Sequence, residues 1–315
     1  MSTKQNKITF GAKVKKYKSL IPFVIPAILF ALIFSYLPMM GIVIAFKDSP
    51  NFMRDDVLTA LQKADWTLKY FETLFSDPEI LSYISNTLII SVMKIVILFP
   101  LPVVLAVMIT ELRNKRFSKL VQGLVFLPHF FSWVVIVGIF NSIFGMYGPI
   151  NNLTVELFNG ERVHFMGSPE WFRWLVVILS GWKEIGYSSI AYIAAIMSID
   201  PALYEAAKID GASKMRQIWS ITIPSIMPTI IVMLIIRVGY LMDAGFEQVW
   251  AMISSDTRDV GEIIGTYVYR LGFQGSGPDK YGLSTAVGLF NGVISLILIL
   301  SANYFSKKKT GNGVW

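Results

Sequence analysis

The sequence predicts an all-α, polytopic membrane protein with six transmembrane helices, and three observations carry that reading. Of its 315 residues, 54% are hydrophobic and only 16% charged, whereas an ordinary soluble domain carries about a quarter charged residues. Six apolar runs are each long enough to cross a bilayer, whose hydrocarbon core takes roughly 20 helical residues. The net charge of +7 is concentrated between those runs, which marks membrane orientation and leaves nucleic acid unsupported as a partner. The chain has no cysteine and two histidines, His129 and His164. Disulfide scaffolds, thiolate metal sites and thiol nucleophiles are thereby excluded, and no catalytic or metal-ligating set is expected.

The first 20 residues form a lysine-rich segment, and the first run, 21–46, follows with Pro22, Pro26 and Pro38 but no charge. It is far longer than the 7–15 or so apolar residues of a signal peptide and ends in Ala45-Phe46-Lys47, so it reads as a retained helix. Further spans are expected over about 83–110, 120–145, 171–198, 221–242 and 281–305, which makes 21–305 the transmembrane domain. A short tail, 306–315, closes the chain. The stretch 47–81 mixes charges with Trp66, Tyr70, Phe71 and Phe75, the pattern of an interfacial anchor.

Short cytoplasmic segments retain excess Lys and Arg during insertion. With the amino terminus inside, the inner segments hold sixteen basic residues and the outer ones nine, while Lys94, Lys183 and Arg237 fall within spans. An even number of spans and this split agree: both termini are expected in the cytoplasm. No internal repeat stands out, so a carrier made of two inverted halves is not indicated.

The segment 199–220, between spans four and five, is the most informative. Asp200 before Pro201 is a helix start, Leu203 to Asp210 favours helix, and Gly211 permits the left-handed turn that ends it. A second helical stretch runs to Pro224. A helix, a turn and a helix projecting from the membrane form an elbow suited to docking.

Glu205-Ala206-Ala207, Asp210-Gly211-Ala212 and Ile221-x-Ile223-Pro224 reproduce the spacing of the E-A-A, D-G-A, I-x-L-P loop. The chain here resembles the inner-membrane permease subunits of binding-protein-dependent ABC importers. Tyr36-Leu37-Pro38-Met39-Met40-Gly41, Asn86-Thr87-Leu88, Phe126-Leu127-Pro128-His129-Phe130, Gly245-Phe246-Glu247-Gln248 and Thr266-Tyr267-Val268-Tyr269-Arg270 resemble the branch that imports oligosaccharides. The resemblance implies a type I importer permease fold in the cytoplasmic membrane of a prokaryote. It implies a second homologous permease, a heterodimer being expected, two ATP-binding cassette subunits and an extracytoplasmic sugar-binding protein. Glu205, Ala206, Ala207, Asp210, Gly211 and Ala212 would then be the ATPase-coupling residues. ATP and magnesium would bind the partner ATPase, with no cofactor on this chain and no enzymatic activity of its own; a Walker loop is absent from the sequence.

A charged side chain at mid-bilayer is costly unless it faces protein or water. Thr87, Ser91 and Lys94 recur at helical spacing in span two; span four offers Trp182, Glu184 and Tyr187, and span five Arg237 and Tyr240. Hydroxyl-binding groups and aromatic faces make these candidates for a sugar pathway, with interior helix pairing as the competing role of each. Basic residues there would suit an acidic glycan, whereas His129 is expected to be a packed side chain. Two other functions remain open at this point, a sibling importer for a non-sugar solute and an ion-coupled carrier.

Overall fold

The computed structural model describes residues 21–314 except 53, 159, 278 and 312; the lysine-rich segment 1–20 lies outside the described residues. Every regular element among them is helical. Five continuous helical stretches are long and apolar enough to cross a membrane, and a sixth is a pair bent by 69°.

The first stretch runs from Pro22 to Phe46. It opens with α1 (Ile21–Ala31) and passes through a π turn at Leu32–Tyr36 to a 3₁₀ segment at Met40–Phe46. Pro26 lies inside α1 without breaking it. Two short helices follow, α2 (Val57–Lys63) and α3 (Lys69–Ser76). The stretch expected as a surface anchor divides its aromatic residues. Tyr70 is buried and Phe71 packs at a tilt against Phe46, while Trp66 and Phe75 are exposed.

The second span joins α4 (Pro78–Leu98) to α5 (Pro100–Thr110). Asp77 starts α4, accepting from the Glu79 amide at 2.9 Å with Pro78 in the first turn. The third span departs most from expectation, because 120–145 is not one helix. Helix α6 (Lys115–Phe126) ends in a 3₁₀ turn at Leu127–Phe130, and Ser132 caps a new helix, α7 (Trp133–Phe144). Pro128 cannot donate into the helix, and the carbonyl of His129, freed by the break, accepts from Lys183 Nζ at 2.8 Å. With α8 (Pro149–Phe158), the spanning stretch becomes Trp133–Leu157.

Helix α9 (Pro169–Met197) is the centre of the bundle. Its Phe172, Leu175, Val176 and Leu179 pack with Ile136, Val137 and Phe140 of α7 and with Ile90 of α4. At Gly186, a β-carbon would collide with the backbone carbonyl of Val125. Only glycine lets α6 and α9 approach so closely there, as small residues do between membrane helices.

After a sharp bend comes α10 (Pro201–Ile209), then α11 (Lys214–Gln217), a π turn at Ile218–Thr222, and α12 (Ile223–Gly239). The chain then folds back through α13 (Phe246–Met252), α14 (Arg258–Gly261) and α15 (Ile264–Tyr269). It closes with α16 (Lys280–Thr310).

A polar clasp ties the first connection to the start of α16. Lys69 bridges Asp48 and Asp279, the latter at 2.8 Å, and the Tyr70 hydroxyl donates to Asp279 at 3.0 Å. Hydrogen bonds from Lys69, then from Ser49, hold both carboxyls below the ordinary value of 3.8. Partial burial pulls the Lys69 ammonium down, but bonds to Asp279 and Asp48 outweigh it and raise the group.

Candidate substrate cavity and docking elbow

A cavity of about 590 Å³ lies between α4, α9 and α12, a size that suits a small ligand or one stretch of a polymer. Ser91 and Lys94 line it from α4, Ser180, Glu184, Tyr187 and Ser188 from α9, and Arg237 from α12; Tyr240 and Asp243 come from the turn beyond. Six of the eight residues expected in the pathway therefore converge: Ser91, Lys94, Glu184, Tyr187, Arg237 and Tyr240.

Thr87 and Trp182 do not line the cavity. The fully buried Thr87 hydroxyl donates to the Tyr83 carbonyl at 2.7 Å and accepts from the Ile264 amide at 2.9 Å. It fixes the start of α15. Trp182 precedes Glu184 by two positions, which on a helix puts it on another face. Its ring meets Phe140 edge-on at 5.6 Å.

Lys94 Nζ donates to the Ala244 carbonyl and to Gln248 Oε1, both at 2.8 Å. Gln248 is fully buried, accepts from the Ser180 hydroxyl at 2.6 Å and donates to the Val176 carbonyl at 2.7 Å. This glutamine is a hub, although in the sequence it stands out only as part of a family-like tetrapeptide. One amide in an apolar segment gives no sign of partners 68 to 154 residues away. The turn that delivers it is unusual: Ala244 and Gly245 both have positive φ, at 52° and 90°. That conformation is costly for alanine, and it aims the Ala244 carbonyl at Lys94.

Arg237 and Glu184 pair at 3.0 Å with both side chains partly open to the cavity. Since Asp243 balances Lys94, the lining carries two basic and two acidic groups. The basic excess that would favour an acidic cargo is thus not present in the cavity. Tyr187 stacks flat against His129, with ring centroids 3.7 Å apart, so the histidine is packed as expected.

The elbow brings the second set of candidates together. Asp200 caps α10 by accepting from the Ala202 amide at 2.9 Å, and Gly211 turns the chain at φ 76°. Glu205, Ala206, Asp210 and Gly211 are exposed, with Ala207 and Ala212 half-buried beside them. No residue of α10 is buried, and Ile209 is 86% exposed. The elbow is nonetheless fixed to the bundle. The Tyr204 and Thr222 hydroxyls bond at 2.9 Å, Gln217 Nε2 donates to the Ala212 carbonyl at 2.9 Å, and Lys214 pairs with Glu111 at 2.6 Å.

Residues 99–311 match the family of binding-protein-dependent transport system inner membrane components. The chain belongs to this family. Among its relatives is the polygalacturonan/rhamnogalacturonan transport system permease protein YteP of Bacillus subtilis (strain 168), 38% identical over 304 residues, which cover 96% of this chain and 92% of the relative. Protein LplB of the same organism is 40% identical over 311 residues, 98% of this chain and 94% of LplB. A chain in the crystal structure of a bacterial ABC transporter involved in the import of the acidic polysaccharide alginate superposes with a TM-score of 0.85 at 39% identity. That match covers 95% of this chain and 98% of the other. A second, from the alginate ABC transporter in complex with alginate pentasaccharide-bound periplasmic protein, gives 0.86 at 38% identity over 97% and 99%. The bundle is therefore the permease fold of an ABC importer, and the protein is an inner-membrane transport component of several apolar helices.

Proposed function

We propose that this permease subunit carries an oligosaccharide through the cavity between α4, α9 and α12, driven by ATP hydrolysed in partner subunits that dock on the elbow. The observation that carries the reading is the elbow's surface. Leu203, Ile209, Met215 and Trp219 are all exposed on an element that the chain's own hydrogen bonds and an ion pair to Glu111 fix in place. Large apolar side chains held together in that way mark a protein interface. Glu205, Ala206, Ala207, Asp210, Gly211 and Ala212 supply its charged and small-residue contacts, and Glu205 has no ion-pair partner among the described residues.

The sugar class rests on the relatives' cargo and on the lining itself. Hydroxyl and aromatic groups beside paired charges suit a hydroxyl-rich ligand. Uronate-containing glycans lead, because YteP is named for polygalacturonan and rhamnogalacturonan transport and the two solved structures are of an alginate importer. The charge-balanced cavity supports a reading in which the sugar-binding protein, not the permease, selects the charge of the cargo. A second permease, two ATP-binding cassettes holding ATP and magnesium, and an extracytoplasmic receptor complete the assembly. Both termini face the cytoplasm, as the bias of basic residues indicates.

The test is uncoupling. In the purified complex, Glu205→Lys and Gly211→Pro are expected to leave subunit recovery intact, abolish sugar-stimulated ATP hydrolysis and reduce uptake to background. Normal stimulated hydrolysis in both variants would refute elbow coupling.

A further inference from the structure

The geometry points to His129, which stands outside the cavity, as the positioning residue for Tyr187 inside it, a role that rests on the oligosaccharide reading above. Tyr187 is 46% exposed and lines the cavity beside Glu184 and Ser188. Among the described residues its one aromatic partner is His129, and no hydrogen bond restrains its hydroxyl. A tyrosine without that partner would exchange between rotamers, and cargo would bear the cost of ordering it. The imidazole removes that freedom. It lies flat against Tyr187, with ring centroids 3.7 Å apart and planes 2° apart. His129 does not line the cavity, so it backs the phenol ring and leaves the opposite face and the hydroxyl to cargo.

The backing is itself anchored, and from the same stretch of α9 that carries Tyr187. Lys183, Gly186 and Tyr187 fall within about one turn, on one side of the helix. Lys183, only 8% exposed, donates to the carbonyls of His129 and Phe131, and its ammonium lies 5.3 Å from the centre of the Trp133 ring. Gly186 lets α6 approach so closely that a β-carbon there would sit 2.1 Å from the Val125 carbonyl oxygen. The chain is thus gripped at Val125 and again at His129 itself. Only the imidazole ring remains to be placed, and its buried Nδ1 has no hydrogen-bond partner. Flat contact with Tyr187, and not a polar bond at that nitrogen, defines where the ring sits. The break in the third span is what brings this ring from the end of α6 against α9.

The experiment uses the complete importer with its receptor in proteoliposomes, supplied with radiolabelled trigalacturonate, alginate pentasaccharide or maltotriose, and reads sugar imported per ATP hydrolysed. A variant that merely loses folded complex lowers uptake and hydrolysis together and leaves that ratio unchanged. His129→Ala is expected to lower the ratio about fivefold, the loss of one aromatic stack. Tyr187→Ala lowers it to a similar degree and the double variant no further, because the histidine acts through the tyrosine. His129→Phe, which keeps a flat partner for the phenol ring, restores the ratio. An unchanged ratio in His129→Ala overturns the positioning role. So does an additive loss in the double variant, which would give His129 an effect independent of Tyr187. A wild-type importer that takes up none of the three sugars defeats the oligosaccharide reading itself, and the positioning role falls with it.

Discussion

Lys94 and Lys183 both sit midway along apolar helices, where an unmatched ammonium costs about 2.5–3.5 kcal/mol on insertion scales. Each is met by oxygens: Ala244 and Gln248 for the first, the carbonyls of the broken third span for the second. Gln248 therefore stabilises a charge that lines the cavity. Replacing it with leucine strips Lys94 and Ser180 of an acceptor and takes from the Val176 carbonyl the second donor it has beyond its helical bond. Gln248→Leu should destabilise the purified protein by about 2 kcal/mol, the usual cost of leaving buried polar groups unpaired. It should lower the thermal midpoint in detergent, whereas Gln248→Glu, which keeps the acceptors, should be milder. An unchanged midpoint for Gln248→Leu would remove the hub from the account. Ser91, Lys94, Glu184, Tyr187, Arg237 and Tyr240 were legible in the sequence because a polar residue in a membrane helix has few places to go. Thr87 and Trp182 show the limit of that logic. A polar stripe extends past the cavity it lines, and two residues apart on a helix is a different face.

At the scale of elements, proline alone does not locate a break. Pro26 and Pro228 lie inside helices that continue, whereas Pro128 sits where the third span changes direction. What separates them is a partner for the freed carbonyls, and Lys183 arrives from 54 residues away. Apolar length was therefore readable and the break was not. The clasp at the start of α16 is another long-range device, joining Ser49 to Asp279 across 230 positions. Its carboxyls titrate below 3.8. Depressed carboxyls contribute stability above their unfolded value, and that contribution is lost as pH falls through the folded one. Asp279→Asn should accordingly loosen the 47–76 connection in hydrogen exchange at neutral pH. The difference from the unaltered protein should shrink as pH falls below 3.8 and through the lower value of the folded carboxyls. A difference that persists in acid would mean that the clasp does not depend on charge.

The whole molecule divides its labour along α9 and α12. Between them they carry Glu184 and Arg237 at the cavity, and α10 joins them at the elbow, where Tyr204 and Thr222 close the angle. Movement of the elbow has a short covalent route to the residues that line the cavity, which is what coupling requires. The family loop made the elbow readable because its spacing is local in sequence. The folded-back helices α13 to α15 were not readable, since their positions depend on Thr87, Asn86 and Arg173 from other spans. The most direct measurement exploits the absence of cysteine. Ile209→Cys places a single thiol on the exposed elbow, and a membrane-impermeant maleimide reports which side it faces. Labelling is expected in inside-out vesicles alone, with protection when the ATP-hydrolysing subunits are bound. Labelling of that thiol from the outside of intact cells would contradict it.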